Sequence, residues 1–100
     1  MREYELYLVI DADADDEDVS AIIDRVTDLI ASGDGTSKGE VIKVEPRGKR
    51  RLAYAVKGKV ESHDVIVTFQ TPPPALTEIE RFLKLNEQVL RYLIVRTDED

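Results

Sequence analysis

Ser62, His63 and Asp64 stand side by side, and these side-chain types can assemble a nucleophile with its base and orienting acid. Their setting forbids it. They lead into "HDVIVTFQ", in which Val65, Val67 and Phe69 alternate as a strand does. Successive strand side chains face opposite ways, so Ser62 and Asp64 turn away from His63 and no relay forms. "DADAD", residues 11–15, matches the first three ligand positions of a calcium loop. That loop also needs glycine at its sixth position and glutamate at its twelfth, where this chain has Asp16 and Ile22. A capped, solvated helix start accounts for the run. "SGDGTSKG" follows a helix and lacks phosphate-loop spacing. There is no cysteine, hence no disulfide framework, thiol nucleophile or thiolate metal site. No catalytic residue, metal, cofactor or small-molecule substrate is expected.

The basic run "RGKRRLAYAVKGK", residues 47–59, is different. It holds six basic residues and no acid in a chain whose net charge is −7. Residues 36–59 carry 8 bases against 2 acids, while residues 1–35 carry 11 acids against 2 bases. Attraction of a polyanion depends on the local field rather than on the net charge. Arginine forks match phosphate geometry, and Gly48 lets another backbone approach closely. Charge, proline and bulges also shield an exposed sheet edge. That explains two or three lysines better than an uninterrupted "RGKRR", so RNA phosphate is the expected contact.

These residues need elements to hold them. One hundred residues make one small domain, and 42% hydrophobic content suffices for a core. The apolar part of "MREYELYLVI" is too short, and too interrupted by glutamate, for a signal peptide or membrane span. A soluble, intracellular protein is expected. Residues 2–10 alternate as a strand, with Tyr4, Leu6, Leu8 and Ile10 on one face and Tyr7 and Val9 on the other. Val19, Ile22, Ile23, Val26, Leu29 and Ile30 form one stripe at helical period, capped by Asp15 or Asp16 and stopped by "SGDG". A second extended region runs from about Lys38 to Lys57, interrupted at Pro46 and Gly48 as an edge strand or bulge would be. Its alternation predicts Leu52, Tyr54 and Val56 on the core side, with "GKVES" turning the chain. The third strand follows. A second helix begins near Pro74, with Leu76, Ile79, Phe82 and Leu83 as its stripe. "QVLRYLIVR" is the fourth strand. If Leu90, Tyr92 and Ile94 face the helices, Arg91, Leu93 and Val95 face out. The order β-α-β-β-α-β predicts an α+β ferredoxin-like sandwich, two helices on one face of a four-stranded antiparallel sheet. A single domain over 1–100 is expected, with 97–100 a frayed acidic tail. An outward face carrying Tyr7, Val9, Leu93 and Val95 beside Arg91 suits a protein partner.

Three blocks together resemble the bacterial small-subunit ribosomal protein six family. "MREYEL" is similar to its opening, "GKRRLAY" to its most recognisable block, and "LKLNEQVLRYLIVRT" to its last helix end and strand, with Asn86, Val89 and Arg91 in matching places. The order and spacing of the blocks agree over essentially the whole chain. Departures are Pro46 and Arg47, where many members have an acid and a bulky apolar residue; Ala55, where many have proline; and His63 and Asp64, near which aromatics are common. The resemblance implies a non-enzymatic, cytoplasmic, ribosome-associated role. It implies binding to the central (platform) domain of small-subunit ribosomal RNA together with small-subunit ribosomal protein eighteen. By matching positions it implies RNA contacts at Arg2, Arg50, Arg51 and Arg91; Arg47 and Lys49 are added on charge, and the protein-partner face on geometry. Three rivals share the topology. A single-strand RNA-recognition domain would show aromatics in a K/R-G-F/Y-G/A-F-V-x-F/Y strand, of which "HDVIVTFQ" has one Phe. An acylphosphatase needs an arginine-bearing phosphate loop where this chain has "DADADDED". A small regulatory ligand-binding domain would use an amphipathic site at a dimer interface.

Overall fold

Alternating apolar residues make β1 (Arg2–Asp11) the strand that buries Tyr4, Leu6, Leu8 and Ile10 on one sheet face. The structure, a computed structural model, describes residues 1–98. Helix α1 (Asp16–Ser32) starts at Asp15, whose carboxylate accepts the Asp18 N–H at 2.8 Å. Asp16, Glu17 and Asp18 then sit at the positive end of the helix dipole. Ile22, Val26 and Ile30 are its buried face. The long hairpin of β2 (Glu40–Val56) and β3 (Lys59–Thr71) turns at Lys57–Gly58, so only the first residue of "GKVES" is in the turn and the rest belongs to β3. Both turn residues have positive φ, 52° and 78°, the hand that matches strand twist. After extended Pro72, a single 3-10 turn at Pro73–Ala75 leads into α2 (Leu76–Leu85), so helical structure starts one residue before Pro74. Strand β4 (Val89–Arg96) completes the sheet.

The sheet order is β2-β3-β1-β4, and every neighbouring pair is antiparallel. Both helices pack on one face, where Ile22, Val26, Ile30, Ile79 and Leu83 meet Leu6, Leu8, Ile10, Val65, Val67 and Phe69. The Tyr4 and Phe69 rings stack across β1 and β3, with centroids 5.5 Å apart. This is the ferredoxin-like α+β sandwich expected from the element order.

The opposite face holds a second, smaller cluster that simple alternation misplaces. Val9, Leu52 and Leu90 are buried there, with Tyr7 and Val56 packed against them. Between Arg51 and Val56 the pairing on β3 steps only from Glu61 to Lys59, so four β2 residues stand opposite Val60 alone. That excursion breaks the period of two. It folds Leu52 over the helix-free face and leaves Tyr54 67% exposed, rather than placing both in the main core. Leu90 is displaced similarly. Val9 pairs with Arg91 but Ile10 pairs with Val89, so Leu90 leaves the ladder and turns to Val9 while Val89 takes the helix-side place. A third bulge lies at Pro46–Gly48 on the edge strand, where Arg47 is the additional residue and Gly48 has φ +81°. At the start of the expected tail, the Thr97 N–H donates to the Glu3 carbonyl at 3.0 Å and Arg96 Nε donates to Asp98 at 2.9 Å. Glu99 and Asp100 lie outside the described residues.

Candidate nucleic-acid interface

Antiparallel pairing sorts the basic residues by sheet face. Lys49 pairs with His63 and Arg51 with Glu61, on the side that carries the helices. Arg50 pairs with Ser62, on the open side, where Arg91 opposes Val9. Arg47 stands out from the bulge. All five are exposed. Arg2 is also exposed, opposite Thr71 at the far end of β1. It lies seven residues from the Arg91 rung, roughly 23 Å at strand rise. The six residues named from the sequence therefore form an edge group, an open-face pair and one remote arginine.

Internal partners divide them further. Arg50 donates through Nε to Oδ2 of Asp64 at 2.5 Å. The same oxygen accepts the Tyr7 hydroxyl at 2.7 Å, and Oδ1 accepts the Ser62 hydroxyl at 2.7 Å. Asp64 is only 2% exposed. Burial pushes its carboxyl up, but the bonds from Ser62, Tyr7 and Arg50 outweigh burial and hold it below the usual carboxylate range. Tyr7 is raised above its ordinary value, chiefly by its bond to that carboxylate. Arg50 is raised by the same partner. Ser62 and Asp64 do turn away from His63, and on their own face they make a buried anchor that the sequence reading missed. A carboxylate and a hydroxyl two positions apart ahead of an apolar strand were the available signal.

Two more residues of the basic run serve the chain itself. Lys57 Nζ donates to the Val89 carbonyl at 3.1 Å. Lys59 lies 3.0 Å from Asp13 and 3.4 Å from Asp11, and the bond to Asp13 followed by the charge of Asp11 raises its pKa. The acidic run after β1 is thus occupied by a lysine and by helix capping. Among the described residues no group of three or more metal-ligating side chains forms. No helix there is long and apolar enough to cross a membrane. Arg47, Lys49 and Arg51 have no ion pair or side-chain hydrogen bond among the described residues.

The residues named for a protein partner also separate. Leu93 and Val95 are 61% and 46% exposed. Tyr7 is half-buried and tied to Asp64. Val9 faces away from the helices as expected, but Leu52 and Leu90 cover it to 3% exposure. It therefore supports this face from beneath and is closed to a partner.

Fold and site together define a small ferredoxin-like protein whose chemistry is surface contact. Residues 3–96 match the family model described as Ribosomal protein S6. The small ribosomal subunit protein bS6 of Moorella thermoacetica is 38% identical over 100 residues, covering 100% of this chain and 98% of that relative. Its counterpart in Corynebacterium kroppenstedtii is 38% identical over 98 residues, covering 98% and 99%. The crystal structure of 30S ribosomal protein S6 from Thermotoga maritima has a TM-score of 0.85 at 26% identity, covering 96% of this chain and 87% of that one. The chain belongs to the ribosomal protein S6 family. It is a structural protein of the small ribosomal subunit, associated with ribosomes in the cytoplasm, and not an enzyme.

Proposed function

We propose that the chain binds the central (platform) domain of small-subunit ribosomal RNA jointly with small-subunit ribosomal protein eighteen. The observation that carries this reading is the trio Arg47, Lys49 and Arg51, exposed on an edge strand of an acidic protein without internal partners among the described residues. Guanidinium and ammonium groups left so can neutralise phosphates and release counterions. Arg50 and Arg91 extend the contact onto the open face, and Arg2 meets a separate stretch of backbone. Leu93 and Val95, with Tyr7 at their margin, receive the protein partner.

Cooperation follows from charge. The chain carries −7 overall, and at physiological salt the Debye length is about 8 Å, so acids near the basic edge still oppose RNA. A basic partner on the open face extends the positive surface, and the surrounding acids steer its approach. The test titrates a central-domain ribosomal RNA fragment with each protein alone and with both, at one salt concentration. The pair is expected to bind well more tightly than either protein. Equal affinity with and without the partner overturns the cooperative reading. A protein complex unaffected by Leu93→Asp removes Leu93 from the docking face.

A further inference from the structure

We propose that Tyr54 is a platform on which one unpaired nucleobase of the bound RNA stacks, while Arg50 and Arg91 hold the adjoining phosphate. The inference rests on the RNA-binding reading above and specifies one nucleotide subsite within it.

Tyr54 is the one aromatic side chain that is exposed among the described residues; the others are buried or half-buried. Its exposure is built by the backbone, because the four-residue excursion opposite Val60 carries it out of the ladder. The hydroxyl accepts a hydrogen bond from Arg91 Nη1 at 3.2 Å, which tethers the ring and leaves its face available. Arg50, Leu52, Ala53, Tyr54 and Arg91 line a shallow depression of about 60 Å³. Two guanidiniums at the rim make this a place for an anion, and an aromatic face beside them suits the base that comes with a phosphate.

Asp64 is the positioning residue of the subsite. It takes only Nε of Arg50, so the two terminal nitrogens, which have no partner among the described residues, remain for a phosphate. A base within a duplex has no free face to offer. The ligand is therefore a nucleotide from a junction, bulge or loop, recognised by stacking and charge rather than by base identity.

The experiment compares Tyr54→Leu and Tyr54→Phe in the presence of the protein partner, on the same central-domain RNA fragment across a salt series. Tyr54→Leu is expected to bind roughly five- to hundredfold more weakly with an unchanged salt slope, since stacking releases no counterions. Tyr54→Phe keeps the ring and is expected to stay within about threefold of wild type, far from the loss that removing a stacking face brings. Arg91→Ala is expected to lower the slope of log K against log salt by roughly 1. Unchanged RNA affinity in a folded Tyr54→Leu protein overturns the subsite. So does an equal weakening of partner binding without RNA, which makes Tyr54 a protein contact. Failure of the wild-type pair to bind the RNA is a separate result, and it sinks the RNA-binding reading itself.

Discussion

Arg50 and Asp64 are joined on the helix-free face of the sheet, with an exposed guanidinium anchored to a carboxylate that is itself buried. The pair couples RNA-facing charge to stability. Arg50→Ala removes one of three donors from Asp64 and should destabilise the protein by roughly 1–2 kcal/mol. The figure stays at the low end because the Arg50 side chain is 45% exposed and solvent screens the pair. Arg51→Ala should leave stability unchanged within error, since Arg51 has no internal bond among the described residues. Denaturant melts of the two single variants check this, and equal stabilities would show that the anchor contributes nothing.

The same carboxylate gives a pH dependence with a definite sign. The folded pKa of Asp64 lies below its unfolded value of about 3.9. Its stabilising contribution is therefore present above about pH 4 and is lost as the pH falls through the folded pKa. Asp64→Asn lacks this term, so the gap in Tm between wild type and variant should narrow on acidification below pH 4. Tyr7 acts at the other extreme. Its folded pKa is raised, so wild type should lose stability above about pH 10, where the unfolded tyrosine ionises first, and Tyr7→Phe should lose less. Parallel pH profiles for wild type and both variants would contradict the network.

Leu52→Ala should cost about 2–3 kcal/mol, because Leu52 is 8% exposed over Val9 and Leu90. A site in a three-residue cluster belongs near the lower end of the range for buried leucine. Tyr54→Ala, two positions on and 67% exposed, should change stability little. The contrast reads out the excursion of β2 by urea denaturation, since regular alternation would make the two losses alike.

Gly39 and Gly48 resist substitution for different reasons and to different degrees. A Cβ on Gly39 would sit 2.2 Å from the Ile30 carbonyl oxygen and 2.7 Å from that of Gln70, where α1 meets the sheet. Gly39→Ala should cost about 3 kcal/mol or more, since backbone must move. A Cβ on Gly48 meets nothing within 4 Å, so Gly48→Ala should carry only the left-handed backbone penalty of about 1–2 kcal/mol. Thermal denaturation of the two alanine variants ranks them, and a larger loss at Gly48 would refute the ranking.

Arg91→Glu should impair incorporation into small subunits far more than it lowers Tm. Arg91 is exposed, and among the described residues its side chain bonds the Tyr54 hydroxyl. Co-sedimentation beside a thermal melt decides it, and a large drop in Tm would mark Arg91 as a structural arginine.

Regular periods were legible in the sequence, and departures from period were not. The α1 stripe and the alternation of Tyr4 to Ile10 and of Val65 to Phe69 gave the first helix, two strands and the main core, because nothing interrupts the β1–β3 ladder. Leu52 and Leu90 were misplaced because each lies at a register shift, and a shift is a property of two strands that one strand's sequence does not display. The exposed arginines were visible as charge. Which of them the protein keeps for itself depended on Asp64, a residue that matters only once β2 and β3 are paired.

The central place of β1 has a consequence for folding. It is bonded on one side to β3 and on the other to β4, with Glu5 opposite Val95 and Thr97 tied back to Glu3. A form of the chain in which β4 has not yet docked has one bare edge on β1, beside Leu6 and Leu8, open to pairing with any extended segment nearby. The sheet is therefore sealed by a strand that lies far along the chain from the one it pairs with, and the hazard of mispairing lasts for as long as β4 stays undocked.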